Sequence, residues 1–243
     1  MGRGLPLARR RFLWLVRNVM VALAAIEAAC GRRPVVPLDL PKEERVIPLP
    51  EPTFVGEMPV EEALQRRRSV RDYAPGALTL AELGQLLWAA QGVTDPRGFR
   101  TAPSAGATYP LELYVAVGKV ERLEAGVYKS AVGDHALHLV ALGDPREALA
   151  VAALAQTWVL RAPLSFVLAA IPERTTGRYG HRGQRYVHIE MGHVAQNVYL
   201  QAVARGLATV AVGAFYDEQV KKVCAMPAEE QPLYIMPVGR PTR

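Results

Sequence analysis

Residues 34–59 carry seven prolines, at positions 34, 37, 41, 48, 50, 52 and 59. Proline lacks the amide hydrogen that a helix interior and an inner strand require, so this density excludes both structures. The sequence therefore predicts an extended, proline-rich linker over residues 31–59. The linker separates a basic leader at residues 1–30 from a single folded domain at residues 60–243. Half of the chain is hydrophobic, which is enough to form a sizeable core.

The charge of the chain is concentrated at its start. The formal net charge is +6, and residues 1–33 hold seven arginines and one acid, Glu27. Residues 34–243 hold 22 basic and 22 acidic residues, so the body is neutral and does not resemble a nucleic-acid binder. Two cysteines and five histidines show no disulfide framework and no metal-ligand spacing. We therefore expect no metal site and no nucleic-acid partner.

The leader resembles an export signal. Residues 9–13 read Arg-Arg-Arg-Phe-Leu, as in a twin-arginine signal, and the apolar run at residues 19–26 is too short to span a bilayer. Cys30 follows two alanines, as at the end of a lipoprotein cleavage box, and would tether an exported protein to a membrane. Glu27 departs from that box. Two alternatives remain open for a cytoplasmic protein: a helix of the folded domain, or translation that begins at Met20.

Periodicity and turn residues predict a domain of alternating helices and strands. A capping box at 79–82 opens one of the helices, and a continuous apolar run at 164–171 is typical of a central strand. Because hairpins occur together with an irregular alternation, we expect an α+β fold with helices on both faces of a mixed sheet. The predicted helices lie at 59–64, 79–91, 144–155, 185–205 and 217–223, and the predicted strands at 111–117, 126–129, 136–142, 164–171, 207–212 and 233–238.

Two segments carry chemical information. Residues 66–71 contain four arginines and Ser69, and guanidinium groups bind phosphate with two parallel hydrogen bonds. Residues 102–110 are mostly small, which lets a flat ring approach the backbone. Together the segments suggest a planar cofactor that carries a phosphate. The alternative is a solvated basic helix end followed by an ordinary turn.

Six motifs, in order along residues 67–241, resemble the FMN-dependent nitroreductase superfamily, and within it the SagB/ThcOx-type dehydrogenases. The resemblance implies a nitroreductase-like three-layer αβα sandwich with a mixed, mainly antiparallel sheet. It also implies a homodimer that binds two FMN molecules at the subunit interface. The motifs are RRSVRDY, LxxLLWAAQG, APSAGATYPLELYVAV, RYGHRGQRYVHIEMGHVAQNVYLQA, VAVGAF and PLYIMPVGRP.

The same resemblance implies roles for individual residues. The first motif would contact the phosphate and ribityl chain of FMN. The small-residue segment at 102–110 would contact the partner's flavin, and the backbone near residue 213 would approach flavin N5. A C-terminal arginine would close on the phosphate. Ala107 stands where the family more often has asparagine. The implied cofactor-binding residues are Arg67, Arg68, Ser69, Arg71, Pro103, Ser104, Ala105, Gly106, Gly213, Ala214 and Arg240.

The catalytic candidates are Arg178 and Tyr179, which match a pair of a basic residue and tyrosine in the SagB-type enzymes. Family members that oxidise azolines tend to have lysine at the first position, and arginine is a poor general base because it stays protonated. Tyr179 is then either an acid or substrate contact, or a packing residue. Glu190 and its polar neighbours on the long helix are interpreted as structural hydrogen-bonding groups.

The resemblance implies an FMN-dependent oxidoreductase that moves a hydride between flavin and NAD(P)H or a small organic or peptidic substrate. The absence of a nucleophile motif agrees with this expectation, because the flavin itself carries the hydride. The alternative is a flavin-binding component of a peptide-modifying complex with little or no turnover of its own. The intact arginine segment favours the enzyme.

Overall fold

A computed structural model describes residues 38–41 and 43–242. The expected leader at residues 1–30, with its export signal and its tether at Cys30, lies outside the described residues. Within the described ranges, no helix combines the length and the apolar character needed to cross a bilayer.

The described strands form one sheet of seven, in the order β1-β4-β3-β2-β5-β7-β6. Every ladder in it is antiparallel, and the parallel pairing in the described part of the chain is limited to the isolated bridges Ser69–Thr209 and Leu78–Val120. The predicted mainly antiparallel sheet is confirmed. The strands are β1 Val46–Pro48, β2 Leu111–Val117, β3 Gly126–Ala131, β4 Ala136–Leu142, β5 Leu164–Ala170, β6 Ala208–Thr209 and β7 Gln231–Gly239.

The helices bury apolar faces on both sides of this sheet. On β2, Leu113 and Val115 belong to the core beneath α2 and α6, whereas Tyr114 and Ala116 belong to the core beneath α3, α4 and α7. Successive residues of a strand point to opposite faces, so one strand serves both cores. The predicted three-layer α+β fold is confirmed. The helices are α1 Val60–Arg66, α2 Leu80–Gln91, α3 Arg146–Ala152, α4 Thr157–Arg161, α5 Glu173–Tyr179, α6 Gly183–Ala204 and α7 Asp217–Val223.

Two predicted elements are markedly shorter in the structure. The helix expected over 144–155 ends at Ala152, because Leu154 and Ala155 adopt positive φ angles of 57° and 58° before α4 begins. The strand expected over 207–212 is reduced to two residues, and only one bridge, Val212–Ile235, continues beyond it. In contrast, the capping box of α2 is present: the Thr79 side chain accepts from the Glu82 amide, and the Glu82 side chain accepts from the Thr79 amide.

The proline-rich segment runs along an outer edge of the sheet. Val46–Pro48 pair with β4, with Pro48 opposite Ala136, and Leu49 is buried immediately afterwards. An edge strand accommodates proline because only one side of it needs a partner.

Candidate functional site

The arginine-rich segment lies against the ends of β6 and β7. The Val70 amide donates to the Thr209 carbonyl at 3.0 Å. The Tyr73 hydroxyl lies 2.9 Å from the carbonyl oxygen of Val70 and 3.0 Å from that of Pro237. Burial raises the pKa of Tyr73, which keeps this hydroxyl protonated as a donor. Tyr73 therefore anchors the segment and leaves the preceding polar side chains at the surface.

Tyr199, on α6, connects this segment to the chain that follows β6. Its hydroxyl accepts from the Ala211 amide at 2.8 Å and lies 3.0 Å from Ser69 Oγ. Since Tyr199 Oη already accepts one hydrogen, it can donate its own to Ser69, and the serine hydrogen is then available to a ligand. The guanidinium carbon of Arg67 lies 5.2 Å from the centroid of the Tyr199 ring. No sequence pattern predicted a separate role for Tyr199.

Two arginines of the segment have aromatic neighbours but no carboxylate. Within the described residues, Arg67 packs over Tyr199 and Arg71 lies 5.6 Å from the centroid of a Trp158 ring, and neither forms an ion pair. Stacking occupies the face of a guanidinium and leaves its N–H edge free to bind an anion. Both groups are therefore available to a negatively charged ligand.

Two further candidate arginines, Arg68 and Arg240, are already engaged. Arg68 Nη1 donates to the carbonyls of Gln65 and Arg67 at 2.9 and 2.7 Å, and its side chain lines a cleft of about 250 Å³. Arg240 forms hydrogen bonds of 2.9 and 3.2 Å to the carboxylate of Glu82. The pKa of Glu82 is lowered: burial opposes the charge, and hydrogen bonds from Thr79 and Arg240 outweigh burial. Arg240 thus braces the start of α2.

Gly213 and Ala214 are connected to the same arginines through shared neighbours. Both are exposed, and in the described part of the chain their amide hydrogens have no acceptor. The Gln156 side chain donates to the Ala214 carbonyl at 2.9 Å, two residues before the Trp158 that faces Arg71. Contacts through Tyr199, Gln156 and Trp158 thus link Arg67, Ser69, Arg71, Gly213 and Ala214, which we call the arginine cluster.

The second set of candidates lies on a strained loop, residues 103–109, which we call the small-residue loop. A 3₁₀ turn at Ala105–Ala107 has φ of 61° at Gly106 and 53° at Ala107, and Tyr109 has φ of 44°. Non-glycine residues in the left-handed region cost roughly 1–2 kcal/mol each. Such a conformation persists only where contacts determine it, and strain of this kind is concentrated at functional sites.

Helix α5 supplies those contacts. Arg174 donates to the Tyr109 carbonyl and Arg178 to the Gly106 carbonyl, each at 3.1 Å. The hydroxyls of Thr175 and Thr108 lie 2.8 Å apart. Three side chains of one helix thus hold three successive parts of the loop. Arg178 and Tyr179, the catalytic candidates, belong to the same rigid unit as the loop.

A buried carboxyl group lies beneath the loop. Glu190 of α6 is 2% exposed and lies against the side chains of Ser104 and Gln91, with the charge of Arg100 nearby. Burial raises the pKa of Glu190, although these three neighbours favour its charged form. Its Oε1 atom has no hydrogen-bond partner among the described residues. Ser104 also accepts from the Tyr109 amide at 2.9 Å, so Glu190 supports the loop through this serine.

The loop and the arginine cluster lie at different ends of α6. Glu190 contacts the loop and Tyr199 contacts the cluster, and these two positions are nine residues apart, about 13 Å along a helix axis. Within one chain, Pro103, Ser104, Ala105 and Gly106 are therefore not brought to the arginine cluster. This separation agrees with the implied arrangement in which the loop serves the partner's site.

Gly106→Ala is expected to lower the free energy of unfolding by about 1–2 kcal/mol, because alanine is disfavoured at a φ of 61°. The new Cβ would also lie 2.5 Å from Tyr179 Oη and 2.9 Å from Arg178 Nη1, so both side chains must move. Urea unfolding monitored by circular dichroism measures the change.

The matched control is Gly177→Ala on α5, where a new Cβ meets nothing within 4 Å. Alanine is the better helix former, so this change is expected to raise stability by about 0.5–1 kcal/mol. Equal effects of the two substitutions would contradict the packing described for Gly106.

Residues 64–240 match the family model described as the Nitroreductase family. The chain is 52% identical over 186 residues to MJ1384 of Methanocaldococcus jannaschii, provisionally named a nitroreductase, an alignment that covers 76% of this chain and 93% of that protein. It is 26% identical over 199 residues to the trifolitoxin operon protein TfxC of Rhizobium leguminosarum bv. trifolii, covering 73% of this chain and 54% of TfxC.

Among solved structures, the fold is similar to that of a protein from Ralstonia eutropha JMP134 that is also provisionally named a nitroreductase. The TM-score is 0.74 at 30% sequence identity, and the match covers 87% of this chain and 97% of the other.

Proposed function

The chain belongs to the nitroreductase family, and from this premise we propose that it is an FMN-dependent oxidoreductase. In this proposal it transfers a hydride between the flavin and NAD(P)H or a small organic or peptidic substrate. The observation that carries the proposal is the arginine cluster, in which two guanidinium groups that have no carboxylate partner among the described residues flank a serine hydroxyl.

The residues of the arginine cluster fit such a cofactor. Arg67 and Arg71 supply unpaired positive charge for a phosphate, and Ser69 supplies a hydroxyl hydrogen that Tyr199 does not require. The amide hydrogens of Gly213 and Ala214 are exposed and lack acceptors among the described residues, as expected of groups that donate to a ring. Both parts of a phosphorylated planar molecule thus find complementary groups.

A bound flavin supplies the hydride chemistry itself. The tasks of the chain are to hold the phosphate, to present amide donors, and to exclude water from one face of the site with the small-residue loop. Arg178 is a poor base because a guanidinium stays protonated, and it is engaged with the Gly106 carbonyl. Tyr179 is the group beside the loop that can donate a proton or contact the substrate.

The purified protein is expected to be yellow and to contain about one FMN per chain after gel filtration. Anaerobic addition of NADH or NADPH should then bleach the flavin absorption. A colourless protein that cannot be reconstituted with FMN would overturn the proposal. If only one of the two nucleotides bleaches the flavin absorption, that nucleotide is the electron donor.

We propose further that the active form is a homodimer. The separation of the loop from the arginine cluster within one chain supports this arrangement, and so does the exposed face of α6, which includes His188, Ile189 and Gly192. Light scattering should give twice the mass of one chain. A stable, flavin-loaded monomer would contradict the arrangement.

The second candidate function is a flavin-binding component of a peptide-modifying complex with little turnover of its own. Similarity to TfxC, a protein of the trifolitoxin operon, favours it. The two functions differ in the anaerobic test, because such a component would bind FMN and yet fail to pass electrons repeatedly from NAD(P)H to an added acceptor.

A further inference from the structure

Residues 174–189 form a basic stretch that the proposed cofactor site does not use. They contain four arginines and two histidines and no acidic residue. Arg174 pairs with Glu112. Arg178, Arg182 and Arg185 are exposed, and within the described ranges none of them pairs with a carboxylate. Three uncompensated cations within eight residues stand out on a body whose net charge is zero.

The local packing brings together the chain segments that carry these three arginines. Helix α6 begins tightly against α5, since a Cβ on Gly183 would lie 2.7 Å from the Thr176 Cα. Across this junction the rings of Tyr179 and Tyr186 meet edge to face with centroids 5.2 Å apart, and each tyrosine directly follows an arginine in the sequence.

Arg182 and Arg185 are also neighbours, because residues three apart on a helix have Cβ atoms roughly 5–6 Å apart. Together with Arg178 they form what we call the basic corner. No acidic group lies within this stretch, and the next acid along the chain, Glu190, is buried against Ser104 instead of neutralising the surface.

The basic corner borders the proposed reaction site. Arg178 Nη1 donates to the Gly106 carbonyl at 3.1 Å, so the corner is continuous with the small-residue loop. A molecule that approaches this loop enters the field of all three guanidinium groups, and a surface of one sign concentrates ligands of the opposite charge. Guanidinium groups also bind carboxylate and phosphate through paired hydrogen bonds.

We propose that the basic corner recognises the substrate through an anionic group, so that the preferred substrate joins its reacting group to a carboxylate or a phosphate. This inference rests on the proposed function for the identity of the loop as part of the reaction site. The arginine cluster and the basic corner then divide two tasks: the first holds the cofactor and the second selects the substrate.

Two nitroaromatic probes test this inference: 4-nitrobenzoate and 4-nitrobenzamide, which differ in charge and hardly in shape. Calorimetry on the FMN-loaded protein measures the two dissociation constants without turnover. Reduction of the nitro group to nitroso, which takes one hydride from NAD(P)H and one proton and releases water, gives kcat/KM for each probe. The anion is expected to bind about tenfold more tightly at low ionic strength, and high salt should remove this preference.

The double variant R182Q/R185Q is expected to reduce the anion preference to about twofold or less. The matched control is R205Q/K222Q, which removes the same charge from exposed positions far along the chain and should retain the preference. Failure of wild type to bind 4-nitrobenzoate, equal affinity for both probes, or a preference that survives in R182Q/R185Q would each overturn the inference. A protein that binds no FMN overturns the proposed function instead, and calorimetry with the same two probes on the FMN-free protein then tests the basic corner alone.

Discussion

Replacing both Arg67 and Arg71 with alanine is expected to raise the dissociation constant of FMN by about a hundredfold to ten-thousandfold. Each charge-assisted hydrogen bond to phosphate contributes roughly 1.5–3 kcal/mol, and these two guanidinium groups have no competing carboxylate within the described chain. Titration of the apoprotein with FMN, followed by quenching of flavin fluorescence, measures the change.

Two controls make this result specific. Riboflavin lacks the phosphate, so its affinity should change little, and an equal loss for both flavins would show that the arginines act on something else. Arg68→Ala should have a smaller effect than either change at Arg67 or Arg71, because Arg68 Nη1 already donates to two backbone carbonyls.

Lys129→Met is expected to lower the free energy of unfolding by about 3–5 kcal/mol. The Lys129 ammonium lies 2.6 Å from Glu230 and 2.9 Å from Glu112, and Glu230 is 1% exposed. Tyr114 donates a hydrogen bond of 2.7 Å to the other oxygen of Glu230, but its neutral hydroxyl supplies no countercharge. The substitution therefore leaves a buried carboxylate without a cation. Urea unfolding at neutral pH measures the loss.

The control for Lys129 is Lys222→Met, at an exposed position of α7, which should change stability by no more than about 0.5 kcal/mol. Burial opposes the Lys129 charge, but hydrogen bonds to Glu230 and Glu112 outweigh it and raise the pKa of Lys129 above 10.5. Its contribution is thus complete below pH 10.5 and is lost as the pH rises through the higher folded value. A difference from wild type that already shrinks between pH 6 and 9 would contradict this assignment.

The consequence of this network reaches the candidate site. Glu112, which pairs with Lys129, also binds Arg174, and Arg174 donates to the Tyr109 carbonyl of the small-residue loop. The small-residue loop is therefore linked, through Arg174, Glu112 and Lys129, to the buried carboxylate of Glu230.

Much of the sheet could be predicted from the sequence because its central strands are continuous apolar runs. Strand β5 was placed correctly and all of its residues are buried, and the capping box at Thr79 marked the start of α2. Helix α5 was not predicted, since Thr175, Thr176 and Gly177 are weak helix formers. Its side chains form tertiary contacts with the loop, and such contacts are not encoded in a local sequence pattern.

The residues of the site and their roles were predicted from the resemblance, but the contacts that hold them in place were not. The hydroxyls of Ser69 and Tyr199 form a hydrogen bond although the residues are 130 positions apart in the sequence, and hydrophobic periodicity does not predict such a pair. The ion pair between Arg240 and Glu82 spans 158 positions and was likewise not foreseen. Sequence patterns indicate which face of a helix or strand is buried and where a helix begins. These long-range contacts depend instead on how the helices pack against the sheet.

The distance between the two ends of α6 has a genetic consequence for the proposed dimer. Each site would take its arginine cluster from one chain and its small-residue loop from the other. A chain damaged only in the cluster and a chain damaged only in the loop would then complement each other when they pair. One site of the mixed pair would inherit both defects, and the other would be assembled entirely from intact parts.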